Sequence, residues 1–380
     1  MKKYSTYVGM DVHARTIACR LYVVETGEVA SKTFANCPTA QDIAQWLEGF
    51  PKPAYAAYES GCTAFNLCRR LRELGVDCDV IAVTTLMKSE KQKSQKCDKL
   101  DAKAMLAAIT NPMSDHTCVW CPDTQTEGAR DLARAADEAI QSLKRAKQQM
   151  VALLLRHGYV WNEKTPTGKV KSRWTQAFWK WVDSIELPDE SSRAALAIYR
   201  SAIEANSEIV AMAKKAVAEA AGKPRWKPYV DAISALKGIE TQSAFMAAAE
   251  FGDFARFKSG RKVSCWLGTV PKNNSSGEKE KHGGITKAGN SRLRRALAEG
   301  NANMAARTAR KKALPADRVI SLEVKTMADK ANARLLERYE HLAFGKKMRA
   351  CKARMAVVSE QVRWVWAIGC VVQKEQEACA

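Results

Sequence analysis

The sequence has no uninterrupted apolar run that approaches the length of a membrane span. Its longest apolar stretches, such as residues 364–372, are far shorter than the roughly 20 residues that cross a bilayer. The first seven residues include two lysines, but no apolar segment follows them, so a secretory signal peptide is not expected. These absences predict a cytoplasmic protein without a membrane partner.

The 12 cysteines and 5 histidines form no recurring ligand pattern. Cysteines without a repeated spacing are typical of reduced thiols rather than of a disulfide framework. His116, Cys118 and Cys121 have ligand-like spacing, but no second Cys or His pair completes a tetrahedral zinc site, so zinc binding is not expected there. The absence of a Walker A loop argues against an ATP-driven enzyme.

Acidic residues are scarce relative to basic ones. The chain of 380 residues and 42.0 kDa has 41 Asp and Glu against 61 Lys and Arg, which gives a formal net charge of +20. A balance this basic favours a polyanionic partner, with nucleic acid first and an anionic membrane surface second. The hydrophobic fraction of 46% excludes wholesale disorder, and the length suits two or three domains.

Residues 4–110 alternate between strand-like and helix-like segments. Apolar and alternating runs predict strands over 7–11, 17–24, 29–34, 54–58 and 79–83, with helices over 38–47 and 65–74. The order is three strands, a helix, a strand, a helix, and then a further strand and helix. This order predicts a mixed α/β sheet.

From residue 128 the pattern changes to long helices. Heptad seams run over residues 140–154 and 196–217, and they suit an antiparallel hairpin, an oligomerising coiled coil or a plain helical linker. The segment between them is rich in tryptophan, which either stacks on unpaired bases or forms a small core at the end of the hairpin. Its tryptophans are Trp161, Trp174, Trp179 and Trp181.

Gly222 to Pro224 ends the second long helix and predicts a domain boundary. Residues 236–242 resemble the turn of a helix-hairpin-helix element, in which backbone amides bind phosphate. Residues 251–312 carry 15 Lys and Arg against four acids. This density favours a phosphate-binding surface over a merely solvated basic face.

Four acids stand where a metal-dependent nuclease would need them. Asp11 and Glu59 each end a predicted strand, and Asp98 and Asp101 share one face of a helix start. Like-charged carboxylates repel each other, so their convergence is favourable when divalent cations lie between them. Two such ions can stabilise both the attacking and the leaving oxygens of a phosphoryl transfer. Each acid taken singly is equally typical of an ordinary strand end or helix start.

Two sets of motifs carry a family resemblance. Val8-Gly-Met-Asp11-Val-His13, Tyr58-Glu59-Ser-Gly61 and Cys97-Asp98-Lys-Leu-Asp101-Ala102 resemble the three acidic motifs of the DEDD transposases of the IS110 insertion-sequence family. The Piv DNA invertases are similar. The C-terminal half agrees through residues 236–244, 254–271 and 283–295. Ser60 stands where Ala is usual and Cys97 where Thr is common, and neither change removes a carboxylate.

The resemblance implies a fold of α/β plus α class with three domains. Residues 1–125 are expected to form a RuvC-like RNase H fold and residues 126–222 a helical coiled-coil hairpin with the Trp-rich insert. Residues 223–380 are expected to form a mainly helical transposase domain with a helix-hairpin-helix-like element.

The resemblance also implies an activity and its site residues. Asp11, Glu59, Asp98 and Asp101 are the expected ligands of Mg²⁺ or Mn²⁺, and Ser276 is the expected nucleophile, with the adjacent Ser275 as its rival. A bridge RNA, donor and target DNA and a homo-oligomer (dimer or tetramer) are the expected partners of a bacterial, nucleoid-associated recombinase. The alternative is a DNA invertase or a junction-resolving nuclease without a guide RNA.

Basic side chains near these motifs are the expected nucleic-acid contacts. Two of them, Lys96 and Lys99, flank the last acidic pair, and the others lie in the C-terminal basic region. Those others are Lys272, Lys287, Arg292, Arg294 and Arg295.

Overall fold

The computed structural model describes residues 4–61, 63–83, 98–276, 279–306 and 312–379, and for residues 98–100, 273–276, 279–282 and 306 it describes the backbone alone. The chain divides into two compact units, Met1–Asp123 and Thr124–Ala380. The helices of the predicted hairpin and the predicted transposase domain belong to the same compact unit, and the finer division at residue 222 stays a prediction.

The N-terminal unit is built on a six-stranded mixed sheet with the order β3-β2-β1-β4-β5-β6. Strand β1 pairs antiparallel with β2 and parallel with β4, and β5 continues the parallel part. The elements are β1 (Thr6–Val12), β2 (Ile17–Val23), β3 (Val29–Phe34), α1 (Ala40–Leu47), β4 (Ala54–Glu59), α2 (Asn66–Glu73), β5 (Asp77–Ile81), α3 (Asp98–Thr110) and β6 (Cys118–Val119). The predicted element order is therefore confirmed, and the mixed sheet is consistent with an RNase H-like fold.

The two faces of this sheet have different coverings. On one face, Val8, Met10 and Tyr58 belong to a core that also contains Ile43 of α1 and Leu71 of α2. On the other face, a smaller cluster joins Ala57, Ile81 and Met105 of α3. Alternate residues of a strand point to opposite faces, so Gly9 and Asp11 share the α3 side with Ala57 and Glu59.

The C-terminal unit is mainly helical. It begins with α4 (Thr124–Arg156), α5 (Gln176–Asp183), α6 (Glu190–Ala221), α7 (Lys227–Ser234), α8 (Thr241–Phe251) and α9 (Gly260–Leu267). It continues with the hairpin β7 (Pro271–Ser276) and β8 (Lys279–Ile285), α10 (Ser291–Gly300), a 3-10 turn (Met304–Ala306), α11 (Leu322–Glu340), a π-helical turn (His341–Gly345) and α12 (Ala350–Cys379).

The two heptad helices, α4 and α6, pack against each other as an antiparallel hairpin within the chain. Ala133 of α4 and Val217 of α6 lie in the main core, whereas Met150 and Ile203 lie in a second cluster at the far end. That second cluster includes the tryptophans of the insert, and Trp161 is 6% exposed within it. The interpretation of the insert as a small core at the end of the hairpin is confirmed.

Helix α12 is long and apolar enough to span a membrane by length and composition alone. The side chains of Val357, Val362 and Ile368 are fully buried, and Val362 and Ile368 belong to the main core of the unit. One helix of this kind is typical of the core of a protein, and this is how α12 is used here.

Candidate functional site

Asp11 and Glu59 lie on neighbouring parallel strands at the same edge of the sheet. Met10 on β1 is the register partner of Tyr58 on β4, so the two acids come next in register. Adjacent strands are about 4.8 Å apart, and both acids point to the α3 face. The sheet therefore brings the first two predicted metal ligands side by side.

Helix α3, which carries the third described acid, packs directly on the backbone of β1. A Cβ atom added to Gly9 would lie 2.3 Å from the Leu106 nitrogen and 2.5 Å from the Ala102 oxygen, so only glycine permits this approach. Asp101 immediately precedes Ala102 and lies one helical turn before Met105, which packs against the sheet. The helix that carries Asp101 therefore packs on the strand that carries Asp11.

The remaining predicted groups at this edge are described only in part. Asp98 is the first residue of α3, three positions before Asp101, and its side chain lies outside the description. The same holds for the Lys99 side chain, and Lys96 lies outside the described residues. Their predicted roles stay predictions.

Sequence reasoning gave no role to His13, although it lies within the first acidic motif. Its Nε2 atom is 3.2 Å from Oδ2 of Asp11, and its backbone N–H donates to the Thr16 carbonyl at 2.9 Å. The sequence does contain a signal for this contact. His13 follows Asp11 by two positions, and in an extended chain this spacing places both side chains on the same side.

The buried side chain of Tyr58 fixes the loop that follows Glu59. Its hydroxyl donates to the Ala64 carbonyl at 2.8 Å and accepts the backbone N–H of Cys68 at 3.3 Å. Burial raises the pKa of this phenol, so the hydroxyl stays a proton donor. The Ser60 N–H also donates to the Ile81 carbonyl at 2.8 Å, which ties the end of β4 to β5.

The donor chemistry of this edge fits a hard divalent cation. The three described candidates, Asp11, Glu59 and Asp101, supply carboxylate oxygens, which are the ligands typical of Mg²⁺ and Mn²⁺. Among the side chains that the structure describes, no three of His, Cys, Asp and Glu lie close enough together to hold a metal. The metal site therefore stays a prediction.

The predicted nucleophile lies in the C-terminal unit, at the end of a two-stranded ribbon. Ser276 is the last residue of β7 and the register partner of Lys279, while Ser275 pairs with Glu280. Pro271 pairs with Ile285 at the base of the ribbon. Five residues separate Ser276 from that base, a distance of about 17 Å in extended strand. For Ser275 and Ser276 the structure describes the backbone alone.

The base of the ribbon is locked to the end of α9. Gly268 (φ 72°) and Gly289 (φ 92°) allow the backbone of residues 286–290 to approach so closely that a Cβ atom on either glycine would overlap a carbonyl oxygen. Lys287 has φ 58°, which is uncommon for a residue other than glycine. Lys287 lies in this base, where its N–H donates to the Gly268 carbonyl at 3.0 Å, and Lys272 is the second residue of β7, four positions before Ser276.

The three predicted arginine contacts all have partners within the C-terminal unit. Arg292 donates to Glu138 Oε1 at 2.6 Å, and Arg295 donates to Asp137. Arg294 donates to the Leu267 carbonyl at 2.7 Å, and burial lowers its pKa. The structure therefore uses these side chains to attach α10 to α4 and α9, and their nucleic-acid role stays a prediction.

The helix-hairpin-helix-like turn joins α7 to α8. Gly238 has φ 80° in this turn. The Lys237 N–H donates to Asn332 Oδ1 at 2.8 Å, and the Glu240 N–H donates to the Ser243 hydroxyl at 3.0 Å. These two amides already have acceptors within the chain, so they do not point to a phosphate site in this turn.

Comparisons with known proteins agree with the motifs. Residues 230–315 match the family described as Transposase IS116/IS110/IS902. The chain is 32% identical to “Putative transposase y4qE” of Sinorhizobium fredii (strain NBRC 101917 / NGR234) over 83% of this chain and 75% of that protein. It is also similar to two proteins named as transposases for insertion sequence elements.

The first of these two is the transposase for IS1533 of Leptospira borgpetersenii, which is 26% identical over 69% of this chain and 74% of that protein. The second is the transposase for IS1328 of Yersinia enterocolitica, which is 26% identical over 77% of this chain and 82% of that protein. The first relative exceeds 30% identity over most of both chains, and the family match falls on the helices and ribbon that carry the predicted serine. The chain belongs to the IS116/IS110/IS902 family of transposases.

Proposed function

We propose that this transposase cuts and rejoins DNA through a covalent serine–DNA intermediate. Ser276 is the nucleophile, and Asp11, Glu59, Asp98 and Asp101 bind Mg²⁺ or Mn²⁺. The observation that supports the proposal is that Asp11 and Glu59 each follow a register pair, Met10 and Tyr58, on neighbouring parallel strands, while the helix that begins at Asp98 packs on the backbone of β1 at Gly9. We interpret this unit as RuvC-like.

The reaction exchanges one phosphate ester bond for another, so the number of ester bonds to phosphorus does not change. The Ser276 hydroxyl loses its proton and attacks the phosphorus, and the bond from phosphorus to one deoxyribose oxygen breaks. That oxygen leaves and takes up a proton, so a serine–phosphate ester replaces the broken bond. Divalent ions at the carboxylates supply positive charge for the attacking and leaving oxygens. Rejoining is the reverse attack by a DNA hydroxyl, and therefore no ATP is needed.

We also propose that a bridge RNA guides the enzyme to donor and target DNA, on the nucleoid in the bacterial cytoplasm. The formal charge of +20 supports two nucleic-acid partners better than one. Sequencing the RNA that copurifies with the protein tests this. Recovery of one discrete transcript from the element supports guidance, and RNA-free protein with full activity contradicts it.

The proposal includes a homo-oligomer formed through the helical hairpin. An apolar groove of about 530 Å³ runs along α4 and is flanked by cations. Helix α6 leaves Ile198, Ile209 and Met212 exposed beside Glu204 and Glu208. The opposite charges suit α6 of a second copy in the groove of the first. The groove residues are Ile140, Leu143, Val151, Ala152, Leu155 and Trp174, with Lys144, Lys147, Gln148 and Arg173.

A denaturing gel with end-labelled element DNA tests the chemistry. Wild-type protein with Mg²⁺ should leave a protein–DNA adduct that protease removes and Ser276→Ala abolishes. Ser275→Ala is the matched control and should keep the adduct. The reverse result moves the nucleophile by one residue. Cleavage without any adduct contradicts the serine and supports a hydrolytic junction nuclease.

Mixing two inactive variants tests whether the serine acts with the carboxylates of another subunit. Ser276→Ala and Asp11→Ala proteins should each be inactive alone and should recover part of the activity when mixed. If the mixture stays inactive, Ser276 and the carboxylates of one site must come from the same chain.

A further inference from the structure

A short π-helical turn between α11 and α12 presents an aromatic ring to solvent. Phe344 lies in the turn His341–Gly345 and is 64% exposed. The turn is closed by hydrogen bonds from the Lys346 N–H to the His341 carbonyl at 2.8 Å and from the Met348 N–H to the Leu342 carbonyl at 2.9 Å. Single π-helical turns are rare in proteins, and those that occur are often found at functional sites.

The ring is exposed but supported. Tyr339 is 4% exposed, and its ring meets the edge of the Phe344 ring at a centroid distance of 6.3 Å and an angle of 89°. Leu342 and Ala343 pack against the small cluster that contains Tyr339. The backbone around Phe344 is therefore fixed, while its ring stays accessible.

The surroundings of Phe344 are strongly basic. Residues 340–354 contain five Lys and Arg and one acid, the exposed Glu340 that precedes the turn. Lys346, Lys347, Arg349 and Lys352 are exposed, and none forms an ion pair within the part of the chain that the structure describes. The nearby Glu360 is bound instead to Arg334 and Arg338, each at 3.2 Å. Lys347 also has φ 50°, an uncommon backbone conformation for lysine.

We propose that this patch, Phe344 with Lys346, Lys347, Arg349 and Lys352, binds single-stranded nucleic acid. The ring stacks on one unpaired base, and the cations contact the adjacent phosphates. An aromatic platform beside a basic track is the usual recognition of single strands, because every base has a π-face. The inference rests on the proposed nucleic-acid function and adds to it a site made of residues other than the carboxylates and the serine.

A single strand fits this patch better than a duplex does. The bases of a duplex are stacked on each other, so a solvent-exposed ring gains nothing there unless it wedges between two base pairs. The cations alone would serve a duplex equally well. The exposed aromatic ring therefore decides between the two ligands.

Fluorescence anisotropy with the full chain tests the proposal. The probes are a labelled 20-nucleotide oligo(dT), an oligo(U) of the same length and a 20-base-pair duplex. Phe344→Leu should weaken binding of both single strands by about 5- to 100-fold, the range expected for one lost stack. Binding of the duplex should change by less than about 2-fold. Phe344→Tyr should restore single-strand binding.

Leu322→Ala is the matched control, because Leu322 is 79% exposed in the same unit but lies outside the patch. It should bind like wild type. For the cations, Lys346→Gln with Arg349→Gln should lower the salt slope for oligo(dT) by about 1.4. The control pair Lys214→Gln with Lys215→Gln, exposed on α6, should leave it unchanged.

Photocrosslinking with 5-bromouridine oligonucleotides and mass spectrometry supplies the position. A crosslinked peptide containing Phe344 supports the site. Unchanged oligo(dT) and oligo(U) binding by Phe344→Leu overturns it, and so does an equal loss on the duplex, which would indicate a wedge. If wild-type protein binds none of the probes, the proposed nucleic-acid function itself fails.

Discussion

The two groups proposed to do the chemistry are held in opposite ways. Glu59 is the last residue of β4 and Asp11 the last but one of β1, in a sheet in which Val8, Ala57 and Tyr58 are completely buried. Ser276 ends a two-stranded ribbon, and such ribbons have little stability of their own. Metal ligands need fixed mutual distances, whereas a nucleophile must reach a substrate. We therefore expect changes in the packing beneath the sheet edge, as at Gly9, to affect folding and activity together, and changes at the ribbon end to affect activity alone.

The largest effect should come from the acids. Asp11→Asn or Asp101→Asn should lower recombination at least about 10³-fold, because an amide cannot replace a charged metal ligand. The melting temperature should stay within a few degrees, and chelation of divalent ions should reproduce the loss in wild-type protein. Glu48→Gln, exposed after α1, is the control and should keep full activity. Retained activity in Asp11→Asn with Asp101→Asn would exclude the metal cluster.

The next effect concerns the seat of α3 on the sheet. Gly9→Ala should lower the free energy of unfolding by about 3 kcal/mol, because its Cβ meets backbone atoms that cannot move aside. Urea unfolding and hydrogen exchange of peptides from α3 measure this. Gly128→Ala is the matched control, since nothing lies within 4 Å and the residue is helical. It should stabilise the protein by about 0.5–1 kcal/mol.

A smaller effect should distinguish structural from DNA-binding arginines. Asp137 is 6% exposed and pairs with Arg295. Arg295→Gln should lower the free energy of unfolding by about 1–2 kcal/mol, because the buried Asp137 carboxylate loses this partner and keeps, of the side chains described, only Nε of Arg292 at 3.7 Å. A double-mutant cycle with Asp137→Asn should give a coupling of about 1–3 kcal/mol. If Arg295→Gln leaves the stability unchanged and weakens DNA binding, Arg295 contacts DNA and is not a structural residue.

The smallest effect belongs to the lysines at the ribbon base. Lys272→Gln and Lys287→Gln should each reduce the slope of log K against log salt by about 0.9 for duplex DNA. Unfolding midpoints should not fall, because neither lysine forms an ion pair among the described residues. If both variants keep the wild-type slope, these two lysines are solvated surface residues and do not contact DNA.

Local patterns in the sequence predicted the N-terminal unit well. The strand ends at Asp11 and Glu59 could be predicted because period-two alternation and short apolar runs are local signals. The place of Gly9 under α3 could not, since nothing within β1 indicates which helix covers it. The ion pair between Arg295 and Asp137 joins residues 158 positions apart, and no short pattern contains both.

The tryptophan-rich insert shows the same limit from another side. Its composition suits base stacking and core formation equally well. Only the packing of Trp161 with Phe178, Met150 and Leu154 decides for the core. Composition reports which contacts are possible, and burial depends on partners that are distant in the chain.

The helical hairpin of α4 and α6 also acts as a ruler. From Ala129 in the main core to Leu154 in the tryptophan cluster the axis of α4 rises about 37 Å at ~1.5 Å per residue. The heptad seam keeps its facing residues only when length changes in steps of seven. Removing one heptad from each helix would shorten the arm by about 10 Å and preserve both clusters. Removing two or five residues from one helix would rotate the tryptophan cluster by about 140–160° and turn it away from its partner seam. The length of this arm can therefore change without loss of packing only in steps close to whole helical turns.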